Sequence, residues 1–307
     1  MTNNRFKGVM VPMLTPLTPD EKVDVESTKR LVEFLIDNGV HGIWAAGTNG
    51  EFAALTHEQR VVITDATVKA VAGRIPVVGN VSMPATQLTV NLALDVQESG
   101  LDGIAATPPY YYACSQTEIT DHFRAIKDQV GLPLWVYNIP RTVKTPVEPA
   151  TIVQLAGEGT VTGVKDSSGQ GEDLAQLNFL CRQEGIDLYQ FIGSTYRTIN
   201  TTGIGCHGVI PGLANFVPGF YAKAWEAGEG GDSDIAGKYM AKIMAAGKVM
   251  NLAKDGPSAG GGFSGMKAAL KIMGVIEHDV VTAPFRSLNN DEKRAIPPLL
   301  QELGLPS

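Results

Sequence analysis

One lysine interrupts the otherwise apolar run Val161-Thr162-Gly163-Val164-Lys165-Asp166. Placing an ammonium group in such a run is costly, because burial disfavours the charged form and lowers the pKa of the amine. The neutral amine is a nucleophile toward a carbonyl carbon, which is the basis of Schiff-base chemistry. Two plainer readings stay open: Lys165 pairs with a carboxylate such as Asp166, or it snorkels to solvent. A phenol ends the preceding apolar run, in Tyr137-Asn138-Ile139-Pro140-Arg141, and others stand in Pro108-Pro109-Tyr110-Tyr111-Tyr112. Phenols can pass protons, although tyrosines also serve as core and interface residues. The segment Gly47-Thr48-Asn49-Gly50-Glu51 offers a hydroxyl, an amide and consecutive backbone N–H groups in a tight turn. Those are the ingredients of a carboxylate nest, or of an ordinary turn in which Thr48 caps the next helix.

Rival chemistries find little support. His41, His57, His122, His207 and His278 show neither HExxH nor any other short metal-ligand spacing, so no metal site is expected. There is no GxSxG elbow for a hydrolase nucleophile. Cys114, Cys181 and Cys206 are odd in number and far apart, and read as reduced thiols rather than as a disulfide framework.

The elements that position these residues alternate regularly. Strand candidates lie at 8–14, 42–46, 76–81, 103–106, 133–138, 162–165, 188–192 and 208–210, with helical periodicity between them, as at 27–38, 58–72, 86–99, 118–129 and 174–184. Thr56 with Gln59 fits a capping box, and Asn38-Gly39 and Ser99-Gly100 fit helix exits into left-handed turns. About eight βα units predict an α/β protein of the TIM-barrel, (β/α)8, class. A doubly wound nucleotide-binding sheet would place a glycine-rich turn after its first strand, and none follows Leu14. The expected division is a barrel over 1–222 and a C-terminal helical segment over 223–307 packed on it, with 228–231 and 260–262 read as glycine-rich loops. In a barrel, chemistry gathers at the C-terminal ends of the strands, where Thr48, Tyr111, Tyr137 and Lys165 fall. His207 precedes the last strand and belongs to the opposite, structural end. Adjacent strands lie about 5 Å apart, so Tyr137 and Lys165 can meet over one substrate.

Composition bounds the partners. The chain has 307 residues, 44% hydrophobic and 19% charged, with a formal charge of -7 and no basic cluster of the kind that binds nucleic acid. The start, MTNNRFKGVMVPML, lacks a signal-peptide layout, and no 18 apolar residues run unbroken. A cytoplasmic protein with a small-molecule substrate, and neither a nucleic-acid nor a membrane partner, is expected.

Five motifs in order, GTNGE at 47–51, PPYYY at 108–112, YNIP at 137–140, GVKDSSG at 163–169 and GVIPGLAN at 208–215, carry a resemblance over nearly the whole chain. It is to the dihydrodipicolinate synthase and N-acetylneuraminate lyase superfamily, the pyruvate-dependent class I aldolases. The resemblance implies a Schiff-base lysine at Lys165 and a proton-transferring tyrosine at Tyr137. It also implies a substrate carboxylate held by the turn at Gly47, Thr48 and Asn49, and a pyruvyl group bordered by backbone near Ile210. Tyr111 matches a tyrosine lent across a tight dimer interface, in homotetramers commonly built as dimers of dimers. No metal or organic cofactor is implied.

The departures bear on the substrate. Asn49 stands where synthases and sialic-acid lyases usually carry a second hydroxyl residue. YNIP runs directly into Arg141-Thr142, so an arginine for a second carboxylate is displaced in position. Gly193-Ser194-Thr195-Tyr196 lacks the acidic pair with which sialic-acid lyases hold a polyhydroxyl chain, leaving Ser194 as a candidate contact. The pattern is similar to (retro-)aldolases and dehydratases for 2-keto-3-deoxy sugar acids or 4-hydroxy-2-oxoglutarate. The alternatives are a synthase condensing pyruvate with aspartate semialdehyde, and a non-catalytic pyruvate-binding barrel.

Overall fold

The computed structural model describes residues 5–198, 200–255 and 259–307, so the first four residues of the opening stretch lie outside the described chain. Eight short strands are β1 (Gly8–Pro12), β2 (Gly42–Ala45), β3 (Val77–Asn80), β4 (Gly103–Ala106), β5 (Leu134–Asn138), β6 (Gly163–Asp166), β7 (Tyr189–Ile192) and β8 (Gly208–Val209). They join in sequence order into one closed barrel. The (β/α)8 class is therefore observed, and each strand lies within two residues of its expected span. Every strand residue is buried, which is why the sequence shows continuous apolar runs rather than alternation.

Helices α1 (Val25–Asp37), α2 (His57–Val71), α3 (Thr86–Gln97), α4 (Gln116–Lys127), α5 (Pro140–Val143), α6 (Pro149–Gly157), α7 (Gly171–Glu184) and α8 (Asn200–Ile204) fill the connections. The Thr56–Gln59 capping box opens α2, and Gly39 and Gly100 take left-handed φ values of 81° and 87° at the expected exits. After β8 come α9 (Pro218–Glu229), α10 (Ser233–Ala246), α11 (Ala259–Ile272), α12 (Asn290–Lys293) and α13 (Ile296–Leu303), a C-terminal helical extension. The division at residue 222 falls inside α9.

The chain packs as two compact units. One holds the described residues of Met1–Met10, His41–Trp44 and Pro76–Pro211, and the other holds Val11–Val40, Ala45–Ile75 and Gly212–Ser307. The first unit is centred on Phe6, Met10, Trp44, Trp135, Tyr137, Tyr189, Phe191 and Ile210. Within it Phe6 meets Trp135 edge to face at 5.1 Å, and Trp135 stacks on Tyr189 at 5.7 Å. Its seam is the pairing of Gly8 with Gly208. A Cβ on Gly208 would lie 2.1 Å from the Gly8 carbonyl oxygen and 2.4 Å from the Phe191 ring, so the seam admits no side chain there. In the second unit Asn215 clips the exit of β1. Its Oδ1 accepts from Leu14 N and its Nδ2 donates to Pro12 O, both at 2.9 Å.

The structure corrects the reading of 260–262 as a loop, because these glycines lie inside α11. Helix propensity argues against them, and close packing overrides propensity. A Cβ on Gly260 would meet the Phe285 ring at 2.5 Å, and one on Gly265 would meet the Val249 carbonyl at 1.9 Å. The stretch at 228–231 divides, with Gly228 in α9 and Gly231 leaving it at φ 76°. Gly265→Ala should therefore lower the thermal midpoint by roughly 5 °C or more, although the same change in an exposed helix is stabilising. An unchanged or raised midpoint in a melting curve would show that α11 and the 3-10 turn Gly247–Asn251 do not approach so closely.

Candidate active site

The register of β5 with β6 pairs Tyr137 with Lys165 and Asn138 with Asp166. Paired residues on parallel strands point to the same side, and consecutive ones to opposite sides. Tyr137 therefore joins the interior cluster, and Lys165 meets it there. The amine Nζ lies 4.1 Å from the centre of the Tyr137 ring and 4.8 Å from that of Trp44. Asp166 faces the other way. Its Oδ1 accepts from Asn138 Nδ2 and its Oδ2 from Ser168 Oγ, each at 2.8 Å. The reading in which Lys165 pairs with Asp166 is thus excluded by strand alternation, and the snorkelling reading by a side chain only 3% exposed.

Burial alone brings the Lys165 amine from its ordinary 10.5 down to about 7. No carboxylate offsets the desolvation, so a large fraction of the amine is unprotonated near neutrality. The indole of Trp44 and the phenol ring of Tyr137 supply apolar walls whose π faces also tolerate a cation, so the surroundings accommodate the amine in either charge state. Trp44 is a functional neighbour that sequence reasoning missed. It sits in the featureless apolar run of β2, and only the inward phase of that strand marks it.

Sequence logic that selects Lys165 should also have selected Lys267, another buried lysine, which lies in the nearly uncharged helix α11. The structure separates the two. Lys267 Nζ is ion-paired with Glu51 Oε1 at 2.5 Å and donates to Val280 O at 2.7 Å. Glu51 ends the turn that begins at Gly47. Its N–H donates to Thr48 O at 3.0 Å, Phe52 N donates to Gly47 O, and Thr15 Oγ1 donates to Gly50 O at 2.8 Å. The turn follows the C-terminal end of β2, as expected. Thr48 caps no helix, since Thr56 is the cap of α2. Thr48 and Asn49 are half-buried, and Asn49 Nδ2 is enclosed with no hydrogen-bond partner among the described residues. A buried amide donor without an acceptor is uncommon in a folded chain.

The remaining expected residues divide. Ile210 is buried in the Lys165 unit, and its N–H donates to Ile192 O at 2.8 Å. Ser194 is half-buried in the turn after β7, its Oγ accepting from Tyr196 N. Tyr111 and Arg141 are both exposed, unlike the enclosed Lys165. Tyr111 is 71% exposed, has a left-handed φ of 84°, and lies with its ring 5.3 Å from Lys144 Nζ. Arg141 is exposed in α5. Cys114, Cys181 and Cys206 are free thiols. Among the described residues, no group of three His, Cys, Asp or Glu side chains could hold a metal ion, and no helix is long and apolar enough to cross a membrane.

The sequence model of the dihydrodipicolinate synthetase family matches residues 5–303. The chain belongs to that family. Family members are lyases of the class I aldolase type. A similar relative is the 4-hydroxy-tetrahydrodipicolinate synthase of Desulfotalea psychrophila, 33% identical over 94% of this chain and 93% of its own length. Among solved structures, the family member YagE, a prophage protein of Escherichia coli K12 in complex with pyruvate, superposes with a TM-score of 0.89. It is 26% identical, with coverage of 98% of this chain and 99% of that one. A dihydrodipicolinate synthase variant described as the first monomeric one superposes with a TM-score of 0.88 at 25% identity, with 98% of each chain covered.

Proposed function

We propose that this family member is a lyase that binds pyruvate or another 2-keto acid as a Schiff base on Lys165. The observation that carries the reading is a buried amine with no carboxylate to hold its proton, seated on the ring of Tyr137. The neutral amine attacks the keto carbon, and the carbonyl oxygen takes a proton to give a carbinolamine. That hydroxyl leaves as water with a second proton, and the nitrogen becomes a protonated imine. The imine draws electrons from the neighbouring carbon, so a carbon–carbon or carbon–oxygen bond beyond it can break, or the reverse can occur. Tyr137 is the proton carrier for these oxygen atoms. The turn at Gly47, Thr48 and Asn49 is assigned the substrate carboxylate, an acceptor that Asn49 Nδ2 lacks among the described residues. Backbone near Ile210 borders the pyruvyl group, and Ser194 and Arg141 contact the distal part of the substrate.

The preferred reaction is a (retro-)aldol cleavage or dehydration of a 2-keto-3-deoxy sugar acid or 4-hydroxy-2-oxoglutarate. Condensation of pyruvate with aspartate semialdehyde is the second reading, favoured by the activity named for the Desulfotalea relative. The exposed Tyr111 fits a residue supplied across a subunit interface, so a cytoplasmic homotetramer, a dimer of dimers, is part of the proposal. Against a fixed assembly stands the monomeric family variant.

Borohydride added with pyruvate should label Lys165, and the amount trapped should rise with pH through about 7 as the amine loses its proton. Peptide mapping that finds the label on another residue, or an inflection near the ordinary lysine value, would remove the proposal. Screening 2-keto-3-deoxy acids for pyruvate release, beside a reductase-coupled assay with aspartate semialdehyde, separates the two reactions.

A further inference from the structure

The pair formed by Lys267 and Glu51 joins residues 216 positions apart, and neither side chain has any solvent exposure. An ion pair so enclosed seldom stabilises a fold more than apolar packing of the same volume. Its distinctive property is fixed position. Both oxygens of Glu51 are occupied, Oε1 by Lys267 Nζ and Oε2 by Thr282 N at 2.7 Å and Thr282 Oγ1 at 2.8 Å. Lys267 is in turn tied to Val280 O at 2.7 Å. The backbone of Glu51 is left-handed, with φ 59°, a conformation that is unfavourable for a non-glycine residue and persists only where its surroundings impose it. That strained residue ends the turn carrying Thr48 and the partnerless Asn49 Nδ2.

We infer that Lys267 is a positioning residue. Acting through Glu51 together with Thr282, it holds the 47–51 turn in the one conformation whose donors fit a carboxylate, and so sets the affinity for 2-keto acids over plain ketones. The inference rests on the Schiff-base reading above and adds a determinant from α11, far along the chain from the reacting amine.

The test compares borohydride trapping with pyruvate and with hydroxyacetone, a ketone lacking the carboxylate, in wild type, Glu51→Gln, Lys267→Met and Thr282→Val. The first two variants should need about tenfold more pyruvate for half-maximal trapping, in line with loss of a charge-assisted hydrogen bond. Thr282→Val, which keeps shape and removes only one donor, should need roughly threefold more. Hydroxyacetone dependence should stay unchanged in all three. A lowered melting midpoint with unaltered pyruvate dependence in folded Thr282→Val and Glu51→Gln would show a purely structural pair and overturn the inference. Equal losses for both ketones would do the same. A wild type that traps neither ketone overturns the Schiff-base reading itself, and this inference with it.

Discussion

Lys165→Met should abolish adduct formation, lower turnover by on the order of 10⁴-fold or more, and at the same time make the protein more stable. The loss follows from removing the nucleophile. The gain follows from the site around it, since a linear apolar side chain of similar length suits walls made by Trp44 and Tyr137 better than an ammonium group does. In the unfolded chain this lysine titrates near 10.5, and in the fold near 7. Between those values the unfolded state binds more protons, so the contribution of this group to stability improves as pH rises through the window. Below about pH 7 the full penalty applies, on the order of 5 kcal/mol from that difference. The melting midpoint of the variant should accordingly exceed that of wild type clearly at pH 6, and the gap should close toward pH 10. A variant less stable than wild type at pH 6 would mean that the amine is hydrated or paired, and the proposed nucleophile would be lost with it.

Tyr137→Phe is the complementary experiment, because it keeps the ring against the amine and removes only the hydroxyl. Turnover of a 2-keto acid should fall by about 10²- to 10⁴-fold, the usual range for a positioned proton carrier. Borohydride should still trap pyruvate on Lys165, more slowly, with the pH midpoint of trapping near its wild-type value, since burial by the ring is retained. Single-turnover measurements would place the loss in carbinolamine dehydration and bond cleavage rather than in substrate binding. A decrease of less than about fivefold would assign proton transfer to another group.

The two residues on which these experiments turn were legible because each ends a short apolar run, and because run length and spacing alone define neighbouring barrel strands. Strand alternation, available from the same residues, already directs Asp166 away from Lys165. The register that makes Tyr137 and Lys165 direct partners supplied the decisive geometry. Lys267 was not legible as a partner of Glu51, since nothing local encodes a contact spanning 216 positions. Trp44 was hidden for the opposite reason, being an apolar residue among apolar residues. The glycines of α11 misled because their low helix propensity is a local signal, whereas the nearby Val249 and Phe285 are tertiary constraints. Tyr111 could be matched by its motif, but its 71% exposure means that one chain alone does not determine its task.

The glycine seam between β1 and β8 also bears on how newly made chains fare. Ribosomes add about 5–20 residues per second, so roughly 10–40 s separate synthesis of Gly8 from that of its partner Gly208. Throughout that interval the edge of β1 at Gly8 and Val9 lacks the strand that pairs with it in the closed barrel. An unsatisfied apolar edge of this kind invites pairing with other nascent chains. The last, two-residue strand is therefore the latch of the barrel, and the pairing it completes is among the most distant along the chain.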